Sequence, residues 1–60
     1  MMDNLPKDPF MLLSYVNTQL RDVYPSLDEL CGSLGVEATA LQEVLGGAGF
    51  EYNAEQNRFW

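Results

Sequence analysis

Residues 26–45 read SLDELCGSLGVEATALQEVL, a stretch with the spacing of two short helices joined by a tight turn. It begins with a capping box, in which the Ser26 side chain accepts a hydrogen bond from the amide of Glu29 and the Glu29 side chain reaches back. Acidic residues in the first turn also favour the positive end of the helix dipole. Gly35 supplies the left-handed backbone conformation that ends such a helix. A helix is therefore predicted over residues 26–34.

The second half of the stretch predicts another helix, over residues 38–46. Its inward side repeats at helical spacing and carries Ala38, Leu41, Val44, Leu45 and Ala48. Gly46 and Gly47 are predicted to end it. The small side chain of Cys31 lets the two helices approach closely, so the pair is typical of a helix-turn-helix.

A longer helix is predicted before this pair, over residues 9–24. Asp8 can accept from the free amides at its start, and Pro9 loses no needed donor at the first helical position. The helix must stop before Pro25, because proline disfavours the helical conformation in the residue that precedes it. One arc of the helix surface is apolar and is predicted to face the core: Phe10, Leu12, Leu13, Val16, Leu20, Val23 and Tyr24.

Residues 50–60 predict a hairpin of two short strands around a polar loop. Pairing Tyr52 with Phe59 puts the aromatic side chains on the face that packs on the helices: Phe50, Tyr52 and Phe59. Glu51 and Trp60 then point outward. A two-stranded hairpin is marginal alone, so its aromatic face must be buried.

The predicted fold is mainly α, with a three-helix, helix-turn-helix-like core and a C-terminal two-stranded hairpin, the outline of a miniature winged helix. The 60 residues are expected to form one small domain over residues 1–60, with a lead-in over residues 1–8. A hydrophobic content of 47% is that of a globular chain, since disordered chains lack the apolar side chains that offset ordering entropy. The expected net stability is only roughly 3–5 kcal/mol.

The charge balance argues against nucleic acid and anionic membranes as partners. Three Lys and Arg oppose nine Asp and Glu, a net charge of −6, whereas polyanions are bound largely through Lys and Arg. No basic residue lies between Asp22 and Asn57, the region that would have to approach DNA. If the fold nevertheless binds nucleic acid, the contacts are expected from the third helix and the hairpin: Ala38, Thr39, Gln42 and Arg58.

Few side chains are suited to catalysis or metal binding. With no histidine and one cysteine, the chain has neither a catalytic triad nor a zinc ligand set. Cys31 is predicted to be an inert core residue, because no basic neighbour in the sequence activates it. We therefore predict a protein that is not an enzyme and uses no cofactor or metal. The lone cysteine, the lack of a long apolar run and the absence of signal-peptide features predict a cytoplasmic location.

Some residues of the first helix are not explained by core packing. Asn17 either ties the helix to a turn or to the hairpin backbone, or it belongs to a recognition surface with Ser14 and Arg21. Arg21 alternatively pairs with a neighbouring carboxylate. Met11 and Tyr15 are expected on the side away from the core, where they form a small apolar patch. The candidate interaction surface is thus Met11, Ser14, Tyr15, Asn17, Arg21 and Trp60.

Nearly the whole chain also resembles one family. The residues that carry the likeness are LP at 5–6, DPFMLLSYVN at 8–17, LRD at 20–22, SLDELC at 26–31, FEYN at 50–53 and NRF at 57–59. They resemble a family of short bacterial proteins classed as a domain of unknown function. The resemblance implies a bacterial cytoplasmic protein that is complete at this length. It implies no activity, cofactor or partner.

Two functions follow as hypotheses. The leading one is a non-enzymatic module for protein interaction or self-association, which docks through the outer face of the first helix or an exposed hairpin edge. Its acidic surface favours a basic partner. The alternative is a nucleic-acid-binding winged helix-turn-helix.

Overall fold

A computed structural model describes residues 5–60 as three helices followed by an antiparallel two-stranded hairpin. The elements are α1 (Pro9–Asp22), α2 (Leu27–Leu34), α3 (Ala38–Gly47), β1 (Tyr52–Asn53) and β2 (Arg58–Phe59). This confirms the predicted mainly α fold with a C-terminal hairpin. Residues 1–4 of the predicted lead-in lie outside the described residues. Within residues 5–60, none of the helices has the length and apolar character needed to cross a membrane.

Side-chain caps explain where α1 and α2 begin. Asp8 is the N-cap of α1, and its carboxylate accepts from the backbone N–H of Met11 at 3.1 Å. The Ser26 hydroxyl accepts from the backbone N–H of Glu29 at 3.2 Å and caps α2 in the same way. Each cap satisfies one of the amides that a helix leaves unpaired in its first turn. Both predicted starts are confirmed.

The ends of the first two helices are set by backbone geometry. Gly35 ends α2 in the left-handed conformation, with φ 71° and ψ 30°, as predicted. α1 ends at Asp22 rather than at residue 24. Val23 has already left the helical conformation, with φ −122°, and its N–H still donates to the Gln19 carbonyl. The chain therefore turns before it reaches Pro25.

The end of α3 agrees with the prediction to within one residue. α3 ends at Gly47, one residue beyond the predicted bound of 46, so the prediction that the glycine pair ends it is confirmed. Glycine lowers helix propensity by about 1 kcal/mol relative to alanine. Leu45 is fully buried and holds this last turn against the core. The chain then turns at Gly49, where φ is 93°.

The core is a single cluster to which all three helices and β2 contribute. Its buried members are Leu5, Leu12, Val16, Leu20, Leu27, Leu30, Cys31, Val36, Leu41, Leu45 and Phe59. Three residues predicted to face the core are exposed instead: Phe10 at 62%, Val23 at 59% and Val44 at 37%. Phe10 lies in the first turn of α1, where the Phe50 ring meets it edge-on at 5.7 Å. Val23 lies beyond the last helical residue, so helical spacing no longer fixes its direction.

The hairpin has the predicted register, with Tyr52 opposite Phe59. Glu51 and Trp60 exchange both backbone hydrogen bonds, at 3.2 and 3.1 Å. Hydrogen-bonded and non-hydrogen-bonded pairs alternate along an antiparallel ladder. The N–H and C=O of Phe59 therefore point away from β1, toward α1.

Candidate functional site

Asn17 joins the middle of α1 to the outer edge of β2. Its carboxamide nitrogen donates to the Phe59 carbonyl at 2.9 Å, and its carboxamide oxygen accepts from the Phe59 N–H at 2.8 Å. One side chain thus satisfies both backbone groups, as the peptide group of a third strand would. This confirms the structural interpretation of Asn17, a tie between the helix and the hairpin backbone.

A second asparagine, Asn57, holds the hairpin loop against the end of α1. Its side-chain nitrogen donates to the carbonyls of Leu20 at 3.0 Å and Tyr24 at 3.1 Å. Its side-chain oxygen accepts from the Tyr52 hydroxyl at 2.7 Å, and that hydroxyl oxygen accepts from the Leu27 N–H at 3.3 Å. The sequence offers one signal for Asn57, its position at the end of the hairpin loop. Asparagine tolerates the left-handed backbone conformation better than most residues, and Asn57 has φ 54°.

An open groove of 820 Å³ lies between α1 and the hairpin loop; we call it the α1-hairpin groove. α1 contributes polar and basic side chains to it: Ser14, Asn17, Thr18 and Arg21. The hairpin contributes Gln56, Asn57 and Arg58. Apolar contacts come from Phe10, Leu13 and Leu20. Because Asn17 and Asn57 fix the hairpin on α1, the two sides of the groove are held in place before any ligand binds.

Arg21 on this groove pairs with its chain neighbour. Its Nε donates to Asp22 Oδ1 and its Nη2 to Asp22 Oδ2, both at 2.9 Å. These hydrogen bonds hold the pKa of the Asp22 carboxyl below its usual value and the pKa of Arg21 above its usual value. Both side chains are well exposed, at 74% and 52%, so the pair contributes little to stability. The prediction that Arg21 pairs with a carboxylate is confirmed.

Arg58, the other basic residue on the groove, has a different partner. Its guanidinium carbon lies 5.0 Å from the centre of the Trp60 ring, a cation–π contact. Within residues 5–60, Arg21 forms an ion pair and Arg58 forms none. The N–H donors of Arg58 are therefore not engaged by a carboxylate of the described chain.

The predicted interaction surface is only partly brought together. Three of its six residues line the α1-hairpin groove: Ser14, Asn17 and Arg21. Met11 is exposed at 63%. Tyr15 is partly buried and packs against the core, so the expectation that it lies away from the core is wrong. Its side chain is long enough to reach the core cluster from the side of the helix. Trp60 is exposed at 56%, as predicted.

The residues named for nucleic-acid contact are placed unevenly. Thr39 and Gln42 are exposed on α3. Ala38 is partly buried against the core, which confirms its predicted place on the inward side of α3 and leaves it less surface for contact with nucleic acid. Arg58 lines the α1-hairpin groove rather than the surface of α3.

Cys31 is a free, buried thiol on α2, which confirms its predicted place in the core. Burial, and next the negative charge of Asp28, raise the pKa of the thiol. A raised pKa lowers the thiolate fraction that nucleophilic chemistry needs. In the part of the chain that the structure describes, no group of three or more metal-binding side chains comes together.

Comparison with known proteins gives a family and nothing finer. A family model described as a domain of unknown function (DUF4250) matches residues 6–59 of the chain. No curated protein matches it, and no solved structure does. The match assigns no activity, partner or functional residue.

Proposed function

The chain belongs to DUF4250, a family defined as a domain of unknown function, and we propose that it is a non-enzymatic protein-interaction module that binds its partner in the α1-hairpin groove. The observation that carries the proposal is the construction of that groove. Two elements far apart in the sequence form it, and paired side-chain hydrogen bonds from Asn17 and Asn57 fix them together. A groove that is already ordered spends little of the binding free energy on ordering.

The side chains around the groove support binding of a polypeptide. Its lining combines hydrogen-bonding groups with apolar surface, and its 820 Å³ is within the range of known ligand pockets. Phe10 lines it and is 62% exposed. Exposed aromatic and arginine side chains on one surface are a composition that protein interfaces favour.

The chemistry of the lining supports binding rather than catalysis. Its functional groups are hydroxyls, carboxamides and guanidinium groups. The thiol of Cys31 is buried on α2 and does not line the groove. A free cysteine without a disulfide partner also supports a reducing compartment such as the cytoplasm.

Binding to nucleic acid is the alternative, and the charge of α3 counts against it. Glu37 and Glu43 flank the exposed Thr39 and Gln42, and the helix itself carries no basic residue. Phosphate contacts need Lys or Arg, so this surface repels a polyanion. A titration of labelled protein with duplex DNA at low salt tests the alternative. Amide shifts at Thr39 and Gln42, with none at Ser14 or Thr18, would favour it over the groove.

The experiment for the proposed function is a peptide selection followed by mapping. Random peptides displayed on phage are selected against the protein, and the best are titrated into ¹⁵N-labelled protein. We expect the largest amide shifts at groove residues such as Ser14, Thr18 and Gln56. Selection that yields no binder, or binders that shift only α2 and α3, contradicts the proposal.

A matched pair of variants separates the groove from the rest of the surface. Ser14→Trp fills the groove at an exposed position of α1, and Thr39→Trp adds the same bulk at an exposed position of α3. The first is expected to abolish binding of the selected peptides and the second to leave it unchanged. Equal effects would show that the peptides bind elsewhere.

A further inference from the structure

We infer that the occupant of the α1-hairpin groove is an extended segment of another protein that carries carboxylate side chains, with Arg58 as its main anchor; this inference rests on the proposed function. The distribution of charge leads to it. The chain has three basic residues, Lys7, Arg21 and Arg58, against nine acidic ones. Two of the three line this one groove, and among the described residues no aspartate or glutamate lines it.

Arg58 is free to accept a carboxylate. It lies over Trp60 and forms no ion pair within residues 5–60, although the chain is rich in carboxylates. Stacking on an aromatic face leaves the edge of the guanidinium open, and that edge binds a carboxylate through two parallel hydrogen bonds. A ligand carboxylate therefore finds a positioned, unpaired donor at Arg58.

Arg21 is a weaker second anchor. Asp22 already takes up one Nε and one Nη2 hydrogen bond of its guanidinium. The remaining N–H groups can still reach a ligand, but the local charge is partly neutralised. The two arginines should thus contribute unequally to affinity.

The apolar part of the groove specifies what lies beside the acidic side chain. Phe10 and Leu13 line the groove together with the arginines. A segment that alternates acidic and apolar residues would satisfy both kinds of surface, because side chains along an extended chain alternate in direction.

The acidic surface as a whole favours a basic partner, whereas the lining of this groove favours an acidic one, and the net charge of −6 opposes an acidic partner only over distance. At physiological ionic strength, charges more than about 8 Å apart are largely screened. The carboxylates of α2 and α3, including Asp28 and Glu43, do not line the groove. A direct contact between Arg58 and a ligand carboxylate acts over a shorter distance than this repulsion, so salt screens it less.

The test compares matched peptides on the full chain. The strongest peptides from the phage selection are synthesised with each acidic residue kept or changed to the corresponding amide, and their affinities are measured by calorimetry at low and physiological salt. We expect the amide forms to bind about fivefold to tenfold more weakly. Arg58→Gln should weaken the acidic peptides by a similar factor, and Arg21→Gln by about twofold. Lys7→Gln removes the same charge from an exposed residue that does not line the groove and should change nothing.

Each outcome is decisive. Arg58→Lys keeps the positive charge but loses the planar guanidinium, which can form two parallel hydrogen bonds with a carboxylate. An intermediate affinity therefore supports carboxylate recognition by Arg58. Peptides that bind in the groove with equal affinity in acidic and amide forms overturn this inference while the proposed function stands. Peptides that bind elsewhere overturn both. Sedimentation that shows concentration-dependent association, abolished by Arg58→Gln, makes a second copy of the chain the occupant and overturns the inferred partner.

Discussion

Asn17 makes two hydrogen bonds with one side chain, and its replacement tests how strongly the hairpin depends on α1. Asn17→Leu leaves the N–H and C=O of Phe59 without their partner in a partly buried position. Unpaired buried groups of this kind cost about 1–3 kcal/mol each. Since the whole chain is expected to have roughly 3–5 kcal/mol of net stability, we expect the variant to be largely unfolded by circular dichroism.

The control lies next to Asn17 on the same helix. Thr18 is exposed, and its hydroxyl donates only to the Ser14 carbonyl, one turn earlier. Thr18→Val should therefore change the urea midpoint little. Asn17→Asp keeps the acceptor for the Phe59 N–H but turns a carboxylate oxygen toward the Phe59 carbonyl oxygen, so this variant should also be less stable than Thr18→Val. A stable Asn17→Leu variant would show that the hairpin packs without this link.

Cys31 should make stability depend on alkaline pH. Burial raises the pKa of its thiol above the ordinary value of 9.0, so the folded state holds the proton more tightly than the unfolded state. The resulting stabilisation is complete below the unfolded pKa and is lost as the pH rises toward the folded pKa. We expect the free energy of unfolding to fall above about pH 9. Urea titrations of Cys31→Ala should show a smaller fall, and identical pH profiles would contradict the prediction.

The Tyr52 hydroxyl links the hairpin to α2 directly and to α1 through Asn57. Removing this one oxygen atom therefore tests the junction of the three elements. Tyr52→Phe removes the acceptor for the Leu27 N–H and the donor to Asn57. The expected loss is about 1–2 kcal/mol. Tyr24→Phe removes a hydroxyl that donates to Ser33 in an exposed position, and should cost less than about 0.5 kcal/mol. Equal losses in urea unfolding would show that the junction adds nothing.

The glycines near the end of α3 should respond in opposite directions to alanine. Gly46 has a helical backbone and open space where a Cβ would lie. Gly46→Ala should therefore raise the stability by about 0.5–1 kcal/mol. Gly49 has φ 93°, which a side chain strains, so Gly49→Ala should lower the stability by about 1 kcal/mol. Thermal unfolding of the two variants measures both, and destabilisation by Gly46→Ala would point to a contact at that surface.

The elements themselves were predictable because their signals are local. Asp8, Ser26 and Gly35 each act on amides or backbone angles within their own turn, and each has its predicted role. The register of Tyr52 and Phe59 followed from alternation. Contacts between distant elements carry no such signal. The Asn57 side chain reaches the carbonyls of Leu20 and Tyr24 because the hairpin lies across α1. Most of the groove depends on the same packing of distant elements.

Over the whole molecule the charges are segregated. Four carboxylates lie on or beside α2 and α3, and no basic residue lies between Asp22 and Asn57. The two arginines lie together on the α1-hairpin groove. Within the described residues, one ion pair forms, between Arg21 and Asp22. Repulsion among carboxylates is therefore expected to exceed attraction between charges in the folded chain.

This balance predicts that added salt stabilises the protein. The molecule extends 23 × 22 × 17 Å, which is less than the screening length of about 30 Å at 0.01 M salt and more than the length of about 8 Å at 0.15 M. At low salt every carboxylate thus repels every other, and at physiological salt only near neighbours do. The free energy of unfolding in urea should rise between these salt concentrations, and the rise should be smaller in the Glu37→Gln, Glu43→Gln double variant. If salt instead lowered the stability, attraction between opposite charges would have to outweigh the repulsion, and the segregated charges would not be the dominant electrostatic feature of the fold.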